Sequence, residues 1–195
     1  MTPRKGLSRD RIVAAYLELL DAPASEGTAN FRGLAARLGC AHTNLYNFFP
    51  DWDALRWAAA GEVLDRLAAS MEGGEGDPVA RYVRFALDHS AWYRLVWFER
   101  LDGPPPPDMG ARTARATAPV AADLAAARPR ASRDGLEAAM AAGHDLVHGA
   151  LAKVLAGRGE YPVTDEEKEG FASTTSARAR AVMDALLARG NRRPG

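Results

Sequence analysis

The sequence predicts an all-α protein of about nine helices and no sheet, and three observations indicate this. Alanine, the best helix former, occurs 40 times, whereas the β-branched residues that strands prefer occur 19 times in all. Apolar residues recur at the i, i+3, i+4 and i+7 spacing of one helical face along much of the chain. Ser, Thr, Asn or Asp residues precede most of these runs, as helix N-caps do.

The bounds of the first three helices are predicted from N-cap residues and from residues that end a helix. Ser8 can cap a first helix whose apolar face extends to about Leu20. Asn30 is a good N-cap for the second helix, and Gly39 ends it. A short third segment ends at Pro50.

A longer fourth helix begins at Asp51 as N-cap and runs towards Ser70. The glycine-rich segment Glu72–Asp77 then predicts a flexible break and the best domain boundary. Asp77 can cap the next helix with Pro78 at its first position, and Ser90 can cap the helix after it.

The second half continues in the same way. Four consecutive prolines in Gly103–Asp108 predict a stiff, extended loop. The alanine-rich segment Met109–Ala127 predicts a helix that Pro119 weakens. A long helix is expected over Ser132–Leu155, and a last one over about Thr164–Ala188. The capping box of this last helix is formed by Thr164 and Glu167. The tail from Gly190 onwards is expected to fray.

Composition excludes several classes of protein. No apolar run approaches the roughly 18 residues that span a bilayer, and no apolar region follows the short basic N-terminus, so neither a membrane anchor nor a signal peptide is expected. The single cysteine, Cys40, excludes an internal disulfide, and a cytoplasmic location is expected. The net charge of zero argues against a protein that coats nucleic acid along its whole surface. A local DNA-binding patch stays possible, because the first 50 residues carry six basic and four acidic side chains.

The segment Asn30–Asp51, NFRGLAARLGCAHTNLYNFFPD, is the most informative part of the chain. It predicts a helix, a tight turn at Gly39 and a short second helix, which is the helix-turn-helix plan whose second helix enters the DNA major groove. Leu45 and Phe49 are expected to point inward, as a scaffold needs. The remaining side chains of the short helix can meet base edges or phosphates, and they are His42, Thr43, Asn44, Tyr46 and Asn47.

Over roughly residues 8 to 70 the sequence resembles the tetracycline-repressor (TetR) family of bacterial transcriptional regulators. The resemblance is carried by Leu34-Ala35, Leu38-Gly39, Leu45-Tyr46, Phe49-Pro50 and Leu55. It implies a DNA-binding domain over residues 1–50, a connecting helix over 51–70 and a ligand-binding and dimerisation domain over 71–195. It also implies that Arg32 contacts a base or a phosphate.

Three positions depart from the family pattern. Ala41 stands where a serine or threonine commonly caps the recognition helix, and Trp52 stands where a lysine commonly touches phosphate. The second departure puts one phosphate contact per subunit in doubt. Cys40 stands where a branched aliphatic residue is usual. It is interpreted as a small apolar side chain, with a redox-sensing thiol as the alternative.

A ligand site is predicted where aromatic residues concentrate, because small-molecule pockets are mostly apolar with a few polar groups. Six of the 15 aromatic residues lie in the segment 82–98, and two histidines share a face of the long helix. The alternative for the aromatic residues is ordinary core, and the alternative for the histidine pair is a metal site. The candidate ligand-binding residues are Phe85, His89, Trp92, Trp97, Met140, His144 and His148.

A homodimer is expected to form through the last two helices, in a four-helix interface. The alternative is packing within one chain. The candidate interface residues are Met140, Val147, Val154, Phe171, Ala179, Val182 and Leu186.

No catalytic motif and no phosphate-cradling loop is evident, so an enzyme, a cofactor and a resident metal are not expected. The leading hypothesis is a dimeric, ligand-responsive repressor whose partners are an operator DNA and a small-molecule effector. One alternative is a helical small-molecule-binding protein with weak or lost DNA binding, and a further one is a histidine-dependent metalloenzyme.

Overall fold

The computed structural model describes residues 6–22, 29–72 and 74–190. Within these ranges the chain forms eight α-helices and one 3-10 helix and no strand, which confirms the predicted all-α fold. The helices are α1 (Arg9–Asp21), α2 (Phe31–Leu38), the 3-10 helix (His42–Asn47), α3 (Trp52–Met71), α4 (Pro78–Asp88), α5 (Ser90–Trp97), α6 (Met109–Ala127), α7 (Arg133–Leu155) and α8 (Asp165–Gly190).

The predicted N-caps account for most helix starts. Each accepts a hydrogen bond from a backbone N–H in the first turn, which satisfies one of the donors that a helix start leaves unpaired. In the capping box of α8, the Glu167 carboxylate accepts from the N–H of Thr164 at 2.9 Å while the Thr164 hydroxyl accepts from that of Glu167 at 3.2 Å. The other confirmed caps are Ser8, Asn30, Asp51, Asp77 and Ser132.

Three details differ from the expectation or lie beyond it. Ser90 is the first residue of α5 and not its N-cap, which is His89 without a side-chain hydrogen bond. The α6 helix continues through Pro119. The predicted fraying beyond Gly190 lies outside the described residues.

The chain divides into two compact units, and each combines two stretches of sequence. Unit one comprises the described parts of Met1–Arg66 together with His89–Arg112. Its core is built where α1 packs against α2 and α5 and where α2 packs against the 3-10 helix. The indole N–H of Trp92 donates to the backbone carbonyl of Leu17 at 2.9 Å, which ties α5 to α1.

Unit two comprises the described parts of Leu67–Asp88 and Thr113–Gly195. Its core lies where α8 packs against α7 and α4. The units therefore follow a different division from the predicted one, because α5 and the proline-rich loop belong with the N-terminal helices and α3 contributes residues to both units. The assignment of functions to residues 1–50, 51–70 and 71–195 stays a prediction.

The glycine-rich segment after α3, predicted as a flexible break, is organised around the Arg81 side chain in its described part. The guanidinium donates to the carbonyls of Gly74, Glu75 and Gly76 at 2.7–2.9 Å and to that of Met71 at 3.1 Å. The bond to Met71 satisfies a carbonyl that the end of α3 leaves without a partner, and the other three bonds satisfy carbonyls of the loop. Arg81 thus binds the start of α4 to the end of α3.

Among the described residues, no helix combines the length and the apolar character that crossing a membrane requires.

Candidate nucleic-acid interface and ligand pocket

The turn between α2 and the 3-10 helix depends on Gly39. Its φ of +66° is a left-handed conformation that side chains other than glycine rarely adopt. The N–H of Gly39 donates to the carbonyl of Ala36 at 3.2 Å, and that of Cys40 donates to Ala35 at 3.0 Å. These bonds close α2 and redirect the chain, as the helix-turn-helix pattern predicted.

The second helix of the motif is a 3-10 helix, tighter than the predicted α-helix. It is short, and no side chain caps its start, because Ala41 occupies the N-cap position. Leu45 and Phe49 are completely buried, whereas Tyr46 is 51% exposed. The other predicted DNA-contact residues, Arg32, His42, Thr43, Asn44 and Asn47, are also exposed. The structure therefore brings all six to the surface of unit one, and their contact with DNA stays a prediction.

Tyr46 contacts the first of three aromatic rings that pack successively against one another. Phe31 meets Tyr46 edge to face at a centroid distance of 4.9 Å, and Trp52 meets Phe31 at 5.2 Å. Trp52 in turn meets Tyr16 at 5.1 Å. Burial raises the pKa of Tyr16 to about 12, with the negative charge of Glu99 as the next cause. The contacts with Phe31 and Tyr16 therefore show that the Trp52 ring serves as packing within the motif.

Arg9 fixes the other end of the 3-10 helix. Its guanidinium lies 4.2 Å from the ring centroid of Phe49 and donates to the backbone carbonyl of Phe48. Arg37 pairs with Glu18 of α1 at 3.2 Å. These two arginines therefore have structural partners within unit one.

Cys40 is half-buried immediately after the turn. This position is compatible with the small apolar role that its place in the motif predicted, and its redox activity stays a prediction.

Unit two contains a cavity of about 40 Å³ among α4, α6, α7 and α8. The lining is largely aliphatic, and two methionines contribute flexible walls. Its residues are Val79 and Tyr82 of α4, Thr117 and Val120 of α6, Met140, Gly143, His144 and Val147 of α7, and Ala179 and Met183 of α8.

Two histidines and a tyrosine form the polar side of this region. The Tyr82 hydroxyl and Nε2 of His148 lie 3.2 Å apart at hydrogen-bonding distance, and the rings of His144 and His148 are 3.9 Å apart between centroids. Burial, with the neighbouring His144 as the second cause, lowers the pKa of His148 to about 4. Burial also lowers the pKa of His144, although Asp145 opposes this shift. Both imidazoles are therefore neutral at physiological pH.

Gly143 allows Met183 to lie across the cavity. A Cβ atom at Gly143 would lie 2.8 Å from Sδ of Met183 and 2.9 Å from its Cγ. A side chain at position 143 would therefore displace Met183 from its place against α7.

The predicted ligand residues separate into two groups. Met140 and His144 line the cavity of unit two, and His148 lies beside its rim through Tyr82. Phe85 is a half-buried residue of α4 that does not line it.

His89, Trp92 and Trp97 instead belong to unit one. Trp92 is 7% exposed and stacks on His89 at 4.1 Å with an angle of 6° between the rings. Trp92 therefore packs in the core of unit one, and His89 and Trp97 are half-buried in the same unit. Sequence reasoning did not find the lining residues Val79, Val120 and Met183, because they look like any other core residues.

The candidate dimer-interface residues also fall into two groups, those that face their own chain and those that retain exposed surface. Val147, Val154 and Ala179 are buried within the single chain, because α7 packs against α8, and Met140 lines the cavity. These four therefore face their own chain. Phe171, Val182 and Leu186 retain exposed surface, and Leu186 is 38% exposed.

Within the described ranges, no group of three or more His, Cys, Asp or Glu side chains is placed to hold a metal ion.

The fold has counterparts among solved structures. A TetR variant from Acinetobacter baumannii AYE, in complex with minocycline, matches with a TM-score of 0.59 and 20% sequence identity over 95% of this chain and 99% of that chain. A TetR family transcription regulator from Marinobacter aquaeolei VT8 matches with a TM-score of 0.47 and 20% identity over 87% of this chain and 93% of that chain. Neither protein-family models nor curated proteins give a match. The first structure shows that this chain has the TetR fold, as its helix-turn-helix motif predicted.

Proposed function

We propose that the protein is a dimeric, ligand-responsive transcriptional repressor that binds a palindromic operator and is released by a small molecule. The observation that carries this proposal is the helix after the Gly39 turn, which buries Leu45 and Phe49 and exposes polar side chains. That division suits a helix that docks in a major groove. The TetR fold shared with a minocycline-bound protein supports the ligand-responsive part.

The DNA contacts are assigned to the exposed face of the motif. Asn44 and Asn47 carry amides that can pair with adenine, and Tyr46 offers a hydroxyl on a ring that Phe31 holds in place. A subunit pair would present two such helices to major grooves roughly 34–36 Å apart, or a multiple of that distance. Arg32 is assigned to a base or phosphate contact at the start of α2.

The effector is assigned to the cavity of unit two. The α4 helix is assigned as the element that transmits the effect of a bound effector to α3. Val79 and Tyr82 of α4 line the cavity, while Arg81 of the same helix holds the carbonyl of Met71 at the end of α3. Because α3 carries residues of both units, a shift of α4 reaches the helix that also contributes to the DNA-binding unit. The effector must bind the DNA-incompetent state more tightly, and DNA then weakens effector binding by the same factor.

A polar cluster fixes the N-terminal end of α4 next to the cavity. Asp77 accepts hydrogen bonds from the Ser176 hydroxyl and from Arg180, whose Nη2 lies 2.6 Å away, and Arg180 also pairs with Asp123 of α6. Although burial raises the pKa of Asp77, the bonds from Ser176 and Arg180 hold it below its ordinary value. The cluster thus joins α4, α6 and α8, the helices whose separation sets the size of the cavity.

The dimer interface is assigned to the outward face of α8. Small side chains are exposed there at helical spacing, namely Ser173, Ala177, Ala181 and Ala185, while Arg180 pairs within its own chain. Small side chains allow a second helix to approach closely.

Selection of duplexes from a random pool by the purified protein tests the proposal. We expect enrichment of a palindrome, and salt-dependent binding of the selected duplex by fluorescence anisotropy. Replacement of Tyr46 or Asn44 by alanine should cost roughly 1–3 kcal/mol of binding free energy while helix content stays unchanged. Replacement of the exposed Arg158 in unit two by alanine is the matched control. Failure to enrich any sequence, or full binding by both variants, would contradict the DNA-binding assignment.

A second candidate function is a helical small-molecule-binding protein with weak DNA affinity. The packing of Trp52 against Phe31 favours it, because this position then supplies no cation to a phosphate. A protein that binds small molecules but shows no sequence-selective, salt-dependent DNA binding would establish this alternative.

A further inference from the structure

The cavity of unit two has no charged side chain among its described lining residues. The charged groups on adjacent turns, Asp77, Asp123 and Arg180, form ion pairs with one another. A charged group on a ligand in the cavity would therefore lose its hydration without gaining a counter-ion, and such a loss is costly.

The cavity offers few polar groups, and each of them is neutral. The Tyr82 hydroxyl is engaged with His148 at 3.2 Å. The Thr117 hydroxyl donates to the carbonyl of Thr113 at 3.1 Å, so its oxygen keeps only acceptor capacity. His144 lines the cavity with an imidazole that burial keeps neutral, and a neutral imidazole has one donor and one acceptor nitrogen.

The size of the cavity is controlled by Met183. At about 40 Å³ the cavity is far smaller than the roughly 150 Å³ that accommodates a benzene molecule. The Met183 side chain lies across Gly143 and has three rotatable bonds, so it can leave this position at modest cost. An entering ring would take the place of the thioether.

We infer that this cavity admits uncharged, largely apolar molecules of about one ring that carry a single hydroxyl or carbonyl, and that it does so by displacing Met183. The role of such a molecule as effector rests on the proposed function, but its binding can be measured without DNA.

Three ring compounds of similar size and different charge test the charge requirement: benzyl alcohol, benzoate and benzylamine. Titration of the full chain at neutral pH, by calorimetry and by ligand-observed NMR, should show saturable binding of benzyl alcohol. Benzoate and benzylamine should bind at least about tenfold more weakly, because their charges would be buried unpaired. Equal binding of all three compounds, or tighter binding of either ion, would overturn the inference.

Two variants test the residues. Met183→Ala enlarges the cavity and should raise the affinity for benzyl alcohol by about threefold or more, whereas Met109→Ala, in unit one, should leave it unchanged. His144→Phe keeps a ring in place and should remove the preference for benzyl alcohol over toluene. An unchanged affinity in Met183→Ala with normal helix content, or an unchanged preference in His144→Phe, would overturn the assignment.

Absence of benzyl alcohol binding in both the parent and Met183→Ala would overturn the inference as a whole. If benzyl alcohol binds as expected but no duplex is selected, the cavity assignment stands and the proposed repressor function fails. If a duplex is selected and no neutral ring compound binds, the repressor keeps its DNA function and this ligand class is wrong.

Discussion

The buried imidazole of His148 makes the stability of unit two depend on pH. Its pKa is about 4 in the folded chain, against 6.5 for an ordinary histidine. Between these values the unfolded chain binds a proton that the folded chain does not bind, so the free energy of unfolding falls as the pH falls below about 6.5. Above that pH both states are neutral and the contribution of His148 to the pH dependence vanishes.

The magnitude follows from the separation of the two pKa values. At about pH 5 the unfolded imidazole is almost fully protonated and the folded one is mostly neutral, which corresponds to a loss of about 2 kcal/mol relative to about pH 8. Because His148 is only half-buried, solvent screening reduces the expected loss to about 1–2 kcal/mol.

Urea unfolding followed by far-ultraviolet circular dichroism, at about pH 8 and about pH 5, measures this difference. The parent should lose about 1–2 kcal/mol more than His148→Gln, which has no group that titrates in this range. His42→Gln, a replacement on the exposed surface of unit one, is the matched control and should behave as the parent. An equal loss in the parent and in His148→Gln would refute the reasoning that burial holds this imidazole neutral.

The remaining predictions concern packing and assembly. Trp52→Leu should weaken binding of the selected duplex by roughly 1–2 kcal/mol, because two edge-to-face ring contacts are lost; anisotropy showing no change would contradict the supporting role of this ring. Gly149→Ala should raise the free energy of unfolding by about 0.5–1 kcal/mol, since its added methyl meets nothing within 4 Å. Gly143→Ala should give no gain in the free energy of unfolding. Denaturant melts that show equal gains for the two variants would contradict the close approach of α8. Ala181→Glu should yield monomers in light scattering and Ala126→Glu, on the exposed surface of α6, should not; a dimer in both would place the interface elsewhere.

Local features of the fold were predictable from the sequence because each depends on a few neighbouring residues. Ser132 caps α7 through the N–H of Gly135, and Thr164 with Glu167 starts α8, since the donors and acceptors lie within one turn. The left-handed Gly39 likewise reflects local backbone sterics. The short helix after it was predicted in place, but its 3-10 hydrogen bonding was not predicted.

The cavity of unit two was harder to predict because a cavity depends on which helices become neighbours. The segment 82–98 is rich in aromatic residues, and the sequence does not show that α4 and α5 enter different units. The indole N–H of Trp92 donates a hydrogen bond to the carbonyl of Leu17, 75 residues earlier in the chain. The cavity lies where Met183 of α8 approaches Gly143 of α7. This close approach arises only from the packing of α7 on α8.

The α8 helix shows why an apolar stripe alone does not identify an interface. Helical periodicity marks the face that avoids water, but it does not say whether the same chain or a second chain covers that face. Ala179 and Met183 lie on the stripe and are buried by α7 and α4 of their own chain. Once this face is covered, the surface that α8 leaves exposed carries alanines such as Ala177 and Ala181. A helix with a buried apolar face and an exposed small-residue face can pack on both sides, and the proposed dimer uses the exposed face.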